Sequence, residues 1–295
     1  MGLIIGILEQ GLIFSIVCIG VYITYRILDF PDLSVDGTFP LGASAASVCI
    51  INDINPFVAC IIAFLAGTIG GAVTGLLHVK FKIANLLSGI LVMIGLYSIN
   101  LRIMSKSNIP LFGENTIFLS NTAPIITIII FTIITKIILD IFLKTKLGFI
   151  LRAVGNNEQV VTLLGVNKDI IKILGLMLSN GFVALAGAMM AQYQGFSDIN
   201  MGTGTVVMGL AAVIIGESIF KNIKFMKITT MIILGSVLYK GAIALALKLG
   251  LAPTDLKLIT VIIVVAALSL NNKNFNFKRK VILGGEAIAK NRKFV

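Results

Sequence analysis

The chain has 295 residues, of which 57% are hydrophobic and only 13% are charged, and its mean hydropathy is +1.03. A soluble domain carries about 25% charged residues, so this composition excludes an ordinary soluble protein and predicts that much of the surface faces lipid. The formal net charge of +11 does not indicate a nucleic-acid partner, because most Lys and Arg residues lie in short segments between apolar runs.

Apolar runs that approach the length of a membrane-spanning helix recur along the chain. About 20 apolar residues are needed to cross a bilayer as a helix. The sequence therefore predicts an all-α, polytopic membrane helical bundle of about eight to ten transmembrane helices. A single transmembrane domain over 1–270 precedes a basic tail over 271–295. The runs are 10–25, 37–52, 57–77, 83–101, 124–143, 173–197, 199–216, 228–247 and 258–272.

The basic residues predict the orientation of these spans, because Lys and Arg concentrate in cytoplasmic loops. Four basic segments are cytoplasmic by this rule: 78–82, 144–172, 220–227 and the tail, which places the C-terminus inside. Four segments alternate with them on the outside: 52–56, 102–123, 192–204 and 248–257.

The start of the chain fits two arrangements. Run 37–52 is short and follows a polar stretch from Asp29 to Thr38. It can cross the bilayer fully, which puts the N-terminus outside. It can instead form a broken or re-entrant helix near residues 30–51, which puts the N-terminus inside.

Residues 28–42 bring charges and helix-breaking residues next to apolar helices. The charges belong to Asp29, Asp32 and Asp36, and the breakers are Pro31, Gly37 and Pro40. Carboxylates beside apolar spans are costly unless they face water, protein or a cavity. Irregular backbone at membrane depth is tolerated where it lines a cavity or is buried in protein. The segment is therefore either a surface loop or a discontinuous helix beside a cavity.

The segment from Lys144 to Lys172 is the longest predicted cytoplasmic connection. Gly155 can end a helix, and Asn156 or Asn157 can cap the next one. The residues from Glu158 to Leu164 then form a short amphipathic helix across the membrane face. This segment is either a solvated loop or a docking element that transmits force from a partner protein.

Several polar residues within the spans have more than one interpretation. Asn85 and Ser88 stand three apart on one helical face and can hydrogen-bond a solute or a neighbouring helix. Lys240 can snorkel, pair with a carboxylate or face a pathway. The segments 30–34 and 196–200 echo one another weakly, and this is either a chance similarity of five residues or the trace of an internal repeat, which is common in transporters.

Two of these segments carry a resemblance to a known family. The residues Arg-Ala-Val-Gly-Asn-Asn at 152–157, followed by Leu-Leu-Gly-Val-Asn at 163–167, resemble the cytoplasmic loop of ABC-importer permeases of the branched-chain amino acid and ribose type. Asp-Leu-Ser-Val-Asp-Gly at 32–37 is similar to the discontinuous helix that lines their translocation path. The stretches 87–93 and 96–104 resemble the subgroup associated with uptake of aromatic amino acids (tryptophan and tyrosine).

The resemblance implies a role for both segments. The loop would be a coupling helix that seats in an ATPase subunit, and the implied coupling residues are Gly148, Arg152, Gly155, Asn156, Asn157, Glu158 and Gly165. The predicted substrate pathway comprises Asp32, Ser34 and Asp36 in the segment that carries the resemblance, together with the polar residues Asn85, Ser88 and Asn100 of the span 83–101. Glu158 stands where relatives often have proline, so the start of this helix is expected to differ slightly.

The resemblance also implies an assembly in a bacterial inner membrane. Its expected parts are a second permease copy in a homodimer, cytoplasmic ATPase subunits, an extracellular solute-binding protein and the lipid bilayer. The chain has no G-x-x-x-x-G-K-[ST] phosphate loop, so ATP is expected on the partner subunit and no cofactor on this chain. The solute is expected to be an amino acid, but its identity stays open because a binding protein usually sets specificity.

Two other classes of function compete with the permease. An ion-coupled secondary transporter would need acids or histidines within its spans, and the long uncharged runs 57–77, 83–101 and 173–197 offer few. A membrane-embedded enzyme would need a catalytic cluster, and no histidine pair or metal-binding spacing occurs.

Overall fold

The computed structural model describes residues 2–118, 123–221, 223, 226–250 and 255–271. The predicted basic tail therefore lies, beyond residue 271, outside the described residues. Helices make up most of the described chain, and one short antiparallel strand pair joins β1 to β2. The elements are α1 (Gly2–Tyr22, extended by a π-helical turn over Ile23–Ile27), α2 (Val35–Ile51), α3 (Pro56–Val79), α4 (Asn85–Met104), β1 (Asn108–Pro110), α5 (Pro124–Phe142), α6 (Lys146–Asn156), α7 (Glu158–Leu163), α8 (Lys168–Gln194), β2 (Phe196–Asp198), α9 (Thr205–Phe220), α10 (Ile228–Lys248) and α11 (Leu256–Asn271).

Six of these helices are long and apolar enough to cross a membrane, namely α1 with its π-helical turn, α3, α4, α5, α8 and α10. Two shorter apolar helices, α2 and α9, lie between them. The prediction of an all-α polytopic bundle is thus confirmed. The predicted span 199–216 starts too early, since residues 199–204 are not helical and α9 begins at Thr205. The predicted connection 144–172 contains two helices, α6 and α7, and the first turn of α8.

Helix α5 shows how lipid shapes the surface of the bundle. It buries a single stripe of residues spaced three or four apart, Ile128, Thr132, Thr135 and Leu139. Its other isoleucines, apart from the half-buried Ile125, are exposed in the chain on its own. An apolar face of this kind would be unstable in water and is stable against lipid tails.

Helix α8 forms the centre of the bundle and packs against α1, α2 and α3. Small residues permit close packing between these helices, as is common in membranes. Gly42 of α2 lies directly on the backbone of α8, where a Cβ atom would overlap the carbonyl oxygen of Ala184. Gly67 of α3 lies in the same way on the carbonyl oxygen of Asn180.

Contacts along α8 establish the direction of the first two helices. The Ser179 hydroxyl donates to the Gly20 carbonyl oxygen at 2.7 Å, and the Tyr193 hydroxyl donates to Glu9 at 2.9 Å, so α1 runs antiparallel to α8. Helix α2 runs parallel to α8, because Thr38 contacts Asn180 and Gly42 lies on Ala184. Residues 28–34 turn the chain back, and α2 begins near the middle of α8.

The described basic segments lie on one side of the bundle, which we call the basic side. Lys227 reaches Asp140 at the end of α5, at 3.0 Å, and His78 reaches Lys172 at the start of α8. Strands β1 and β2 pair on the opposite side, with Asn108 across from Asp198. The start of α1 also lies on that opposite side. Residues 28–51 therefore form a broken helix that crosses the bundle and returns the chain to the side where α1 began.

Helix α9 repeats the geometry of α2 in the opposite direction. Residues 199–204 re-enter the bundle from the opposite side, and α9 runs from there to the basic side, where Glu217 pairs with Arg26. The turns before the two helices match, since Asp32 Oδ1 accepts from Ser34 N and Asp198 Oδ1 accepts from Asn200 N, both at 2.8 Å. The weak sequence echo thus corresponds to two similar turns before two helices that start inside the bundle.

Candidate functional site

The segment before α2 is a closed hydrogen-bond network around Asp32. Its Oδ1 accepts from the backbone N and the hydroxyl of Ser34, at 2.8 and 2.6 Å. Its Oδ2 accepts from Asn180 Nδ2 at 2.8 Å. Asp32 and Ser34 are both buried. Every oxygen of this carboxylate is therefore occupied, and the two residues fix the start of α2 against α8.

Asn180 is the residue of this network that the sequence analysis missed. Its Oδ1 accepts from the hydroxyls of Thr38 and Ser34, at 2.8 and 3.2 Å, while Nδ2 donates to Asp32 and to the Leu176 carbonyl oxygen. The available signal was an asparagine in the middle of the uncharged run 173–197, because a polar residue at that depth requires a partner.

Asp36 joins the starts of α2 and α9. Its Oδ1 accepts from the Thr205 hydroxyl at 2.8 Å and from Val206 N at 2.9 Å, and its Oδ2 accepts from Gly204 N at 2.8 Å. The carboxylate thus caps the first turn of α9 from another helix and lies at the positive end of its dipole. We call this contact the α2–α9 junction, defined by Asp36 and residues 204–206.

A cavity of about 340 Å³ opens beside the α2–α9 junction. We call it the junction cavity; it is lined by Asp36, Gly37, Pro40, Met93, Ile94, Tyr97, Ser98, Asn100, Ile199, Asn200 and Thr203. Asn100 is fully buried and donates from Nδ2 to the Gly37 carbonyl oxygen at 3.1 Å. Its Oδ1 accepts no hydrogen bond from any residue that the structure describes. Apolar walls with a few polar groups are typical of small-molecule sites.

The structure separates the six predicted pathway residues into groups. Asp36 and Asn100 line the junction cavity, whereas Asp32 and Ser34 hold the start of α2. Ser88 donates to the backbone oxygen of Asn85 within its own helix, at 2.7 Å. Asn85 stands at the first position of α4, toward the basic side. Neither Asn85 nor Ser88 lines the junction cavity.

Helix α6 packs closely against the ends of two spans. A Cβ at Gly148 would overlap the Phe142 carbonyl oxygen at the end of α5, and a Cβ at Gly155 would overlap the Ile27 carbonyl oxygen after α1. Gly155 therefore serves close packing within α6, which continues to Asn156, and does not end the helix. Arg152 is exposed and lines a cavity of about 370 Å³ with Tyr22 and Asp140.

Helix α7 begins at the predicted residue, Glu158, and ends at Leu163, one residue before the predicted end. Asn157 caps it, with Oδ1 accepting from Gln159 N at 3.0 Å, while Asn156 is exposed at the end of α6. After α7, Gly165 takes a left-handed conformation with φ of 74°, which glycine adopts without strain. The predicted short helix after Asn157 is confirmed.

Glu158 is held by two lysines of α8. Its Oε2 lies 2.7 Å from Lys168 Nζ and its Oε1 lies 2.5 Å from Lys172 Nζ. The hydrogen bonds from Lys168 and Lys172 lower the pKa of the Glu158 carboxyl below its ordinary value. This first residue of α7 therefore stays ionised and ties the helix to α8.

The outer face of α7 is apolar and exposed. Leu163 is 87% exposed and Leu164 is 68% exposed, and Val160 adds to the same surface. We call these three residues the α7 patch. None of them was named as a coupling residue from the sequence, although three large apolar side chains close together in a connection between spans are typical of an interaction surface.

Lys240 lies inside the bundle and its surroundings are aromatic and polar. Its Nζ is 4.8 Å from the centre of the Phe14 ring, in the position for a cation–π contact. It also lines a cavity of about 470 Å³ with Gln10 and Thr260. Among the described residues it forms no salt bridge.

Helices that begin inside an apolar bundle, with their amino ends beside a cavity, are typical of membrane transport proteins. Comparison with known proteins gives the family. The profile of the branched-chain amino acid transport system permease component matches residues 3–269, nearly the whole chain. The chain belongs to this family.

The relatives cover most of the chain. It is 56% identical over 254 residues to the tyrosine transport system permease protein of Clostridioides difficile strain R20291, which spans 86% of each chain. It is 28% identical over 220 residues to the ribose import permease protein RbsC of Escherichia coli K12, covering 72% of this chain and 68% of the relative. No solved structure matches the chain.

Family membership decides several of the sequence predictions. The chain is the membrane-spanning permease subunit of an ABC importer and not an enzyme, since ATP hydrolysis in such systems takes place on a separate subunit. An ATPase and a solute-binding protein are its partners in transport. The alternatives of a secondary transporter and a membrane enzyme are thereby set aside.

Proposed function

We propose that this permease imports an aromatic amino acid and that tyrosine is its first candidate solute. The observation that carries the proposal is the 56% identity to a permease named for tyrosine transport, over 86% of both chains. The junction cavity supports an amino acid, because its volume of about 340 Å³ exceeds what such a solute needs and its walls combine apolar and polar groups.

The junction cavity is the proposed part of the translocation path. Asn100 Oδ1 is a fully buried acceptor without a described partner next to this cavity, and it would accept from a donor once the cavity opens toward it. An amino acid carries that donor as its ammonium group. Asp36 keeps the cavity in shape by holding α9, and Asp32, Ser34, Asn85 and Ser88 have supporting positions around the start of α2 and α4.

The proposed assembly contains two copies of this chain in the inner membrane of a bacterium, with the basic side and the C-terminus in the cytoplasm. The orientation follows from the concentration of basic residues on one side. A homodimer is proposed because the family resemblance implies a second permease copy in the assembly. No cofactor is proposed for this chain, and ATP binds to the ATPase subunits.

The α7 patch is the proposed seat of the ATPase subunit. Leu163 and Leu164 project from the basic side without a partner in the monomer, and exposed apolar side chains in water are stabilised by burial in a partner's groove. Gly148 and Gly155 hold α6 against the spans, while Asn157 and Gly165 shape the two ends of α7. These contacts would present the patch as a rigid unit, with Arg152, Asn156 and Glu158 beside it.

The test of this proposal is co-purification of the ATPase with a change confined to the α7 patch. Leu163→Asp with Leu164→Asp is compared with Leu249→Asp, which alters a leucine of 85% exposure on the opposite side. We expect the first variant to lose the ATPase and the control to retain it. Equal recovery by both variants would contradict the proposed docking surface.

The solute is tested by uptake of labelled tyrosine into vesicles that contain the permease, its ATPase and its binding protein. We expect uptake to require ATP and to fall when unlabelled phenylalanine or tryptophan is added, but not with ribose. Uptake that follows an ion gradient without ATP would overturn the proposal, and ATP-dependent uptake of ribose alone would change the solute class.

A further inference from the structure

The attachment of α7 to α8 continues inward through a buried lysine. Lys168 and Lys172 both pair with Glu158, but their surroundings differ. The Lys168 side chain is 39% exposed, whereas that of Lys172 is only 11% exposed. The ammonium group of Lys168 pairs with Glu158, while that of Lys172 pairs with Glu158 and also contacts His78 at the end of α3.

The next contact is His78, the one histidine of the sequence. Its Nδ1 lies 2.9 Å from the Ile83 carbonyl oxygen, so Nδ1 carries the proton and donates it. Nε2 is then the acceptor, and it lies 3.5 Å from Lys172 Nζ. The partners on both sides thus fix the tautomer and orientation of the ring.

The ring of His78 meets the break in front of α2. Phe30 packs edge-to-face on it, with 5.2 Å between the ring centres. Phe30 is buried, and its backbone N donates to the Thr24 carbonyl oxygen at 2.9 Å. It stands two residues before Asp32, whose network fixes the start of α2. A chain of contacts therefore runs from Glu158 through Lys172, His78 and Phe30 to this start.

We propose that Lys172 and His78 are positioning residues that transmit the displacement of α7 to the start of α2, and thereby couple ATP hydrolysis to the opening of the junction cavity. The inference rests on the proposed function. Each link is a contact between side chains that are buried or fixed by two partners, so a shift of Glu158 displaces the next group and is not absorbed by solvent. The last contact of this series lies two residues before Asp32, whose hydrogen bonds hold the start of α2.

Matched lysine variants test this relay. Lys172→Met removes the contacts to Glu158 and His78, whereas Lys168→Met removes only a contact to Glu158. Lys172→Arg keeps the charge and serves as the conservative variant. The complete importer, with ATPase and binding protein, is reconstituted in liposomes, and tyrosine uptake and ATP hydrolysis are measured in the same vesicles.

The expected result is a change in the ratio of tyrosine moved to ATP hydrolysed. Lys172→Met should lower this ratio about tenfold, which lies in the usual range of coupling between sites, with ATP hydrolysis nearly unchanged. Lys168→Met should leave the ratio within about twofold of the parent, and Lys172→Arg should recover most of it. Equal ratios for Lys172→Met and Lys168→Met would overturn the relay.

A second variant guards against a folding defect at Lys172. His78→Asn retains a donor for the Ile83 carbonyl oxygen but removes the ring that contacts Phe30. It should also lower the ratio without loss of ATPase recovery, and an unchanged ratio would contradict the proposal. Failure of the parent to move tyrosine or to bind an ATPase would instead reject the proposed function, so the two failures are distinguishable.

Discussion

Two carboxylates around the start of α2, those of the buried Asp32 and the half-buried Asp36, are each stabilised by several donors. Asp32 receives three hydrogen bonds within the start of α2 and from α8, and Asp36 receives three from the first turn of α9. A carboxylate in a low-dielectric interior is costly unless its oxygens are satisfied in this way. Both residues therefore contribute to the architecture around the junction cavity. Of the three buried side-chain oxygens without a partner among the described residues, on Ser47, Asn100 and Ser218, only that of Asn100 belongs to a residue that lines this cavity.

The pairing of Asp32 with Asn180 predicts a particular pattern of stability. Asn180→Asp removes the donor to Asp32 and places two carboxyl groups together, which should destabilise the protein by about 2 kcal/mol. Asp32→Asn removes the charge but turns two amide donors toward each other. The double variant exchanges the acid and the amide, so it should be more stable than the sum of the single effects by about 1 kcal/mol.

The measurement is the thermal midpoint of the three variants in detergent, compared with the parent protein. Ser44, which bonds within its own helix, supplies a distant control through Ser44→Ala. Strictly additive effects of the two changes at 32 and 180 would show that these side chains do not interact.

Helices of this bundle meet through glycines that lie on neighbouring backbones, and the packing of α2 on α8 is the clearest case. Gly42 leaves no room for a Cβ beside Ala184, and the obstacle is backbone that cannot rotate away. Asp32 holds the irregular segment before α2 in place, and the contact of Gly42 with Ala184 holds the helix itself against α8. The position of the junction cavity therefore depends on how closely α2 approaches α8.

Substitution of Gly42 should consequently be much more harmful than substitution of a glycine that faces open space. Gly42→Ala should destabilise the protein by about 1–3 kcal/mol, because the helices must separate to accommodate the methyl group. Gly95→Ala in α4 meets nothing within 4 Å and should be neutral or stabilising by about 0.5 kcal/mol. Thermal midpoints and the yield of monodisperse protein measure both, and equal losses would contradict the described packing.

At the scale of the whole molecule, the set of helices that contains α2 and the set that contains α9 run in opposite directions. In the first set α2 starts inside the bundle and runs to the opposite side, and in the second set α9 starts beside it and runs to the basic side. Helix α10 packs along α1, where the Ser236 hydroxyl donates to the Gly11 carbonyl oxygen at 2.6 Å. Helix α3 packs along α8 in a similar way. Inverted repeats with a site between discontinuous helices are a recurrent design of transporters.

This topology predicts which positions react from each side of the membrane. In a background with Cys18, Cys49 and Cys60 replaced by serine, Leu3→Cys and Lys106→Cys should react with an impermeant maleimide in intact cells. In cells that express the permease without its ATPase, Leu163→Cys should react only after the membrane is opened. If positions 3 and 163 both reacted only after the membrane is opened, the N-terminus would lie inside. That result would contradict the crossing by residues 28–51.

The sequence alone was sufficient for features that depend on local composition. Hydropathy identifies the spans because each helix must be apolar along its own length, and the basic residues separate the two sides because each loop carries its own charges. The cap at Asn157 and the helix that follows it also depend on neighbouring residues only. The irregular segment around Asp32 was recognisable for the same reason.

Only the tertiary structure decided how the polar residues are used, because their partners are distant in the sequence. Asp36 and the first turn of α9 are 168 residues apart or more, and Asn180 and Asp32 are 148 apart. Whether Asn100 faces a cavity while Ser88 bonds within its own helix depends on which helices pack beside α4. Local sequence determines that a polar group in a membrane needs a partner, but packing determines which partner it finds and which acceptor remains for a solute.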